Sequence, residues 1–256
     1  MPSTAVLLGL VVMAVVPAVA IRLPWRWSLR LWAACALLLG GLWLWTSRAP
    51  GTNPFEAVRA VAFLFGCVVL SLAPAWRGAS SKTAARLLAG TLILMTLGVS
   101  GLRLKHGDAP AAALGALLAV AFGGPRVLRW SMDPPSAGVT ADLGWAWIGA
   151  YCAWHLAGAQ DAHGHNLVGL KLFGMLIPVF LVTRCGQQHW LRARFILLVP
   201  LSAGAFFFPE VFVEGMATPG LEFEGMDAAL NTLAAALLVP ALWRNAPRWW
   251  RPQETP

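Results

Sequence analysis

Charge is what this chain has least of. Only 12% of its 256 residues are charged, against a hydrophobic share of 58%, whereas soluble domains carry about 25% charged residues. With a mean hydropathy of +0.66, a water-soluble core is excluded and a polytopic membrane protein is the expectation. The four cysteines form no close pair and no metal-type spacing, so they read as packing residues. There is no G-x-x-x-x-G-K-[ST] phosphate loop, no H-E-x-x-H, no C-x-x-C and no G-x-S-x-G, which sets aside several familiar catalytic machines. The two halves show no obvious repeat, against a transporter built from repeated halves. No long polar segment could house a separate catalytic domain, so any chemistry falls to span ends and short loops.

What remains is a series of apolar runs separated by small basic groups. Nine runs qualify: residues 5–21, 31–45, 57–73, 87–102, 110–122, 143–157, 167–182, 195–213 and 228–243. The fifth is short, since about 20 apolar residues cross a bilayer, and Gly123-Gly124-Pro125 breaks it. The first lacks the basic residues of a secretory signal and reads as an uncleaved span. If all nine cross with the N-terminus outside, 14 of the 19 basic residues fall inside, as the positive-inside rule prefers. If the fifth does not cross, the division reverses. The expected fold is therefore an all-α, polytopic transmembrane helix bundle of about nine spans, N-terminus outside and C-terminus inside. Residues 1–130 form the N-terminal scaffold and residues 131–256 the half that carries an outward-facing polar site. Basic groups placed between apolar runs belong to membrane loops, so the net charge of +8 implies no nucleic acid.

The most informative stretch is Leu143 to Leu191. Its first run carries Trp147, the chain's only tyrosine, Tyr151, and His155 at four-residue intervals, one helical face. A polar turn with Asp161, His163, His165 and Asn166 follows. On the same outer side, Glu224, Asp227 and Asn231 stand at i, i+3 and i+7 leading into the last run. An amide at the depth of Asn231 faces a bundle interior or wet cavity more readily than lipid. Three readings of the histidines stay open: solvated loop residues, ligands of a divalent metal (His163 and His165, without H-x-x-x-H spacing), or general acid–base groups. The Trp147, Tyr151 and Trp154 group reads first as packing, and Asp227 can simply favour a helix start. Arg184, Arg192 and Arg194 read as orientation charges. On the catalytic reading, His165, Asp227, His155 and Asp161 do chemistry, while Tyr151, Asn166, Glu224 and Asn231 hold the substrate in one outward-opening pocket.

The order W-x-W-I-x-A-Y-x-x-W from Trp145 to Trp154, then His165, Ile177-Pro178 and Trp190 with Arg192, resembles an uncharacterised bacterial membrane family. That family is grouped with the lipocone superfamily, which includes VanZ-like proteins and is related to Wnt. The run from Met226 to Leu233 is similar to the acid-to-Asn-Thr-Leu run in the last span of VanZ-like proteins. The likeness covers about residues 140 to 243, and His155 stands where the pattern has asparagine. It implies a bacterial inner (cytoplasmic) membrane protein whose partners are membrane lipids and which cleaves or exchanges phosphate-linked head groups. The alternative is a non-enzymatic lipid or small-molecule binder, transporter or envelope-assembly component.

Overall fold

The computed structural model describes residues 23–46, 79–131, 138–158, 168–183, 186–207 and 224–250, with shorter pieces inside 11–20 and 61–69. In chain order the elements are α1 (Trp25–Thr46), α2 (Ala79–Lys105), α3 (Ala109–Ala121), β1 (Leu128–Ser131), β2 (Gly138–Ala141), α4 (Trp145–Leu156), α5 (Val168–Thr183), α6 (Trp190–Phe207) and α7 (Met226–Asn245). Short 3₁₀ turns at Gly124–Val127, Gln187–His189 and Ala246–Trp249 join or extend them. Strands β1 and β2 pair antiparallel, with Leu128 opposite Ala141 and Ser131 opposite Gly138.

Helices α2 and α3 form an antiparallel hairpin because the chain between them is built to turn. Gly107 adopts φ +84°, a conformation that costs a residue without Cβ little. Asp108 then caps α3, its Oδ1 accepting the Ala111 N–H at 3.1 Å, and Pro110 sits in the first turn, where its missing N–H is not needed. Helix α4 packs along α7, and α3 lies against both α2 and α7. The seam among α2, α3 and α4 is set by a small residue. A Cβ added at Gly115 would lie 2.0 Å from Ser100 Oγ and 2.4 Å from Trp154 Cζ2, so only glycine lets the three helices approach this closely. Trp154 is fully buried there and donates its indole N–H to Ala111 O at 2.7 Å.

Two polar layers bound this core. At one end Asp142, just after β2, accepts from Arg244 at 2.5 Å and from Arg248 at 3.0 Å. Arg248 also donates to the Asp142 carbonyl at 2.8 Å and Asn245 to Leu143 O at 3.0 Å. Burial works against the Asp142 charge, yet the Arg248 hydrogen bond and the fields of Arg244, Arg248 and Arg129 outweigh it and hold the carboxyl below its ordinary range. At the other end Arg103, Asp108, Lys171 and Asp227 gather round the last turn of α4. The 20 residues of α7 join the two ends, about 30 Å at 1.5 Å per residue, which is the thickness of a bilayer's hydrocarbon core.

The nine-span expectation is overturned. Among the described residues two helices are long and apolar enough to cross a membrane, Thr83–Lys105 and Met226–Trp249. Their apolar windows are only 17% and 22% buried, and Leu94, Leu97, Leu104, Leu233, Val239 and Trp243 lie exposed along them. A soluble protein's core helix buries such residues, so these two faces are fit for a membrane. The fifth run became α3, 13 residues and about 20 Å long, and the sixth became α4, 12 residues. Each buries one face against the bundle, α3 leaving Leu117 and Val120 exposed, and hydropathy cannot tell such burial from lipid. The hairpin β1–β2 departs from an all-α fold. The inside–outside assignment and its division of basic charge fall with the span count. Among the described residues one buried cluster runs from Ala20 to Ala241, across position 130/131.

Candidate functional site

The stripe Trp147–Tyr151–His155 forms on α4 as its spacing dictates. Trp147 and Tyr151 stack with centroids 5.1 Å apart and nearly parallel planes, and Tyr151 lies 4.5 Å from the His155 ring. Trp190, the first residue of α6, meets both Trp147 and Tyr151 edge-on, at 6.1 and 5.5 Å. Trp147 is fixed from behind by its N–H to Leu118 O at 3.1 Å. These rings form one wall of a cavity. The others come from α2 (Leu92, Ile93, Met95, Thr96, Val99), from Ala119 and Phe122 at the end of α3, and from α6 (Leu191, Arg194, Phe195, Leu198). The room open to water-sized spheres is about 40 Å³, enough for roughly three waters.

Arg194 is the group in this cavity that the sequence reading misplaced. It and Arg192 were expected as exposed orientation charges; both are buried, Arg194 at 6% exposure and Arg192 at 7%. The Arg194 Nη1 donates to Gly174 O of α5 at 2.7 Å, and its guanidinium carbon lies 5.9 Å from the Tyr151 ring centroid. A cation over an aromatic face gains about 0.5–2 kcal/mol, which offsets only part of the cost of burying it. Its Nε has no hydrogen-bond partner, and neither has Trp190 Nε1. A signal existed in the sequence: Trp190 and Arg194 are four residues apart just ahead of an apolar run, the spacing of one helix face.

The second polar group surrounds the C-terminus of α4. Arg103 donates to Trp154 O at 2.8 Å and to Ala157 O, and pairs with Asp108 at 3.4 Å. Lys171 donates to Gly158 O at 2.8 Å. Cations at a helix C-terminus satisfy carbonyls that the helix cannot. Asp227 accepts the Gly158 N–H at 2.9 Å, so in this structure it holds the turn after α4. Asp227, Asn231 and Thr232 line an open groove of about 700 Å³ between α3 and α7, opposite Asp108. The Thr232 hydroxyl donates back to Ala228 O at 2.7 Å, and Asn231 Oδ1 has no partner. Glu224 is exposed on the turn before α7.

The expected pocket is thus divided. Tyr151 and His155 share a cavity with Arg194, whereas Asp227 and Asn231 share a different space with Asp108. Asp161, His163, His165 and Asn166 lie outside the described residues. Among the described residues no group of three histidine, cysteine, aspartate or glutamate side chains is placed to hold a metal. Comparison with protein-family models, characterised proteins and solved structures finds no match.

Proposed function

We propose that this is an integral membrane protein, anchored by α2 and α7, that seats the head group of an amphipathic small molecule or lipid in the cavity between α2, α4 and α6. The observation that carries this reading is the cavity's composition. Its walls are aromatic and aliphatic, and Tyr151, His155, Trp190 and Arg194 are among the residues that line it. A mostly apolar pocket with a few converging polar groups is the usual form of a small-molecule site. Leu92 and Ile93 line it from α2, whose neighbouring Leu94 and Leu97 face outward, so a hydrocarbon tail has a short path from the surrounding lipid. The residue likeness to lipocone proteins points the same way, to lipids of a bacterial inner membrane. Native mass spectrometry of protein extracted in mild detergent tests this. Wild type should retain a bound amphiphile, and Ala119→Leu, which fills the cavity from α3, should lose it. Equal retention by the two proteins, or none by wild type, would overturn the reading.

A second reading is favoured by one observation, the packing of His155 against Tyr151 within that cavity. An imidazole there can act as general acid or base on a bound head group, giving hydrolysis or exchange at a phosphate linkage. Product formation from a phosphate-bearing lipid that is lost in His155→Ala, with normal insertion, is the result this reading requires.

A further inference from the structure

We infer that the polar end of this cavity is an oxyanion subsite, formed by Trp190 Nε1 and Arg194 Nε. The inference rests on the reading that the cavity takes an amphiphile, and it names the chemistry of that molecule's head. Trp190 and Arg194 stand one turn apart on the same face of α6, and both line the cavity. They are 1% and 6% exposed, yet neither Nε1 nor Nε finds an acceptor. Indole and guanidinium N–H groups can only donate, so whatever satisfies them must accept. A buried donor without a partner is costly, and here two such donors belong to neighbouring residues of one helix face that both line one cavity.

Charge narrows the acceptor further. Among the described residues no carboxylate lines the cavity, and the Arg194 guanidinium donates to the neutral Gly174 carbonyl. Waters could satisfy the N–H groups, but they leave the net charge of a cation taken into an apolar bundle unneutralised. An anion can, and a guanidinium edge matches the two oxygens of a carboxylate or phosphate. The donors are held ready. Gly174 O holds the guanidinium, and T-shaped contacts with Trp147 and Tyr151 hold the Trp190 ring, which limits the ordering needed when the anion arrives. Room for roughly three waters suits a bare carboxylate or a phosphate monoester and is small for a sugar or choline head. The occupant is therefore a compact oxyanion, borne on an acidic amphiphile or free in solution.

Full-length protein in a neutral detergent, titrated calorimetrically and followed by thermal shift, tests this with four probes: oleate, dioleoyl phosphatidate, inorganic phosphate and the uncharged monooleoylglycerol. The acidic amphiphiles should bind and raise the melting temperature, with monooleoylglycerol at least tenfold weaker. A response to inorganic phosphate equal to that of phosphatidate would identify the free anion as occupant and leave the subsite as described. Arg194→Gln should weaken the anions by about 10- to 100-fold, and Trp190→Phe, which keeps an aromatic ring but loses the N–H together with the pyrrole part of the indole, by about three- to tenfold. If Arg194→Gln does not fold, Trp190→Phe and the wild-type contrast of charged with uncharged probes still decide the matter. Equal binding of oleate and monooleoylglycerol, unchanged in both variants, would overturn the oxyanion subsite while leaving the amphiphile cavity intact. Failure of all four probes would overturn both.

Discussion

Gly115→Ala is the substitution whose sign the structure fixes most firmly. Intrinsic propensity argues for it, since alanine in a helix interior is favoured over glycine by about 1 kcal/mol. Packing argues against it. The new methyl would lie 2.0 Å from Ser100 Oγ and 2.4 Å from Trp154 Cζ2. Trp154 is fully buried and tied to Ala111 O, and the Ser100 hydroxyl is engaged with Thr96 O at 2.9 Å, so neither neighbour retreats freely. Overpacking of a tight core costs typically 1–3 kcal/mol, and two close contacts at once place this site toward the upper part. The expected net is a loss of about 1–2 kcal/mol. Gly98 and Gly101 on α2 provide the control, because a Cβ at either meets nothing within 4 Å. Alanine there should be neutral or stabilising by up to about 1 kcal/mol. Reversible unfolding in mixed detergent would read all three variants. Should Gly115→Ala prove as stable as Gly101→Ala, the close approach of α2, α3 and α4 described here is wrong.

Further outcomes follow from the same geometry. Gly66→Ala would drive a methyl into the Phe195 ring, 2.3 Å from its nearest carbon; displaced toward the cavity it lines, that ring should weaken amphiphile binding several-fold, and unchanged affinity would count against the assigned wall. Arg103→Met strips donors from Trp154 O and Ala157 O and should cost about 3 kcal/mol, with Arg103→Lys recovering part of it in the same unfolding assay. Because folding lowers the Asp142 carboxyl below its ordinary value, its contribution to stability is present above the unfolded pKa of about 3.9 and is lost as pH falls through the native one. The melting-temperature gap between wild type and Asp142→Asn should therefore narrow in acid; a gap constant down to pH 3 would be contrary evidence.

Local periodicity was legible and depth was not. The Trp147–Tyr151–His155 face could be read from four-residue spacing alone, because a helix repeats whether it lies in lipid or in a protein core. The same independence explains the false span count. The run 110–122 is apolar on every side, and nothing in its composition distinguishes a short helix wedged between α2 and α7 from one facing lipid. Asp227 was legible as a residue near a helix start but not as the acceptor for Gly158, since that pairing joins positions 69 residues apart. Arg192 and Arg194 were misread for a related reason. Basic residues between apolar runs look like loop charges unless the chain's path is known, and here they occupy the first turns of α6, inside the bundle.

Arg103, partly buried, and Arg194, buried, allow a comparison that neither alone permits. Arg103 reaches the Trp154 and Ala157 carbonyls and the Asp108 carboxylate, with Asp227 near enough to add its field. Its charge is compensated by two acids, and the carbonyls it meets are ones that α4 would otherwise leave unpaired, so its role closes within the chain. Arg194 reaches one neutral carbonyl and the face of one ring, with its Nε unmatched beside an unmatched indole N–H. Were Arg194 serving only to join α6 to α5, a single neutral hydrogen bond worth about 1 kcal/mol would be a poor return for burying a full charge. A leucine or methionine would pack there at lower cost. The surplus of buried donor capacity at Arg194, set against its balance at Arg103, is what separates a binding group from a structural one in this fold.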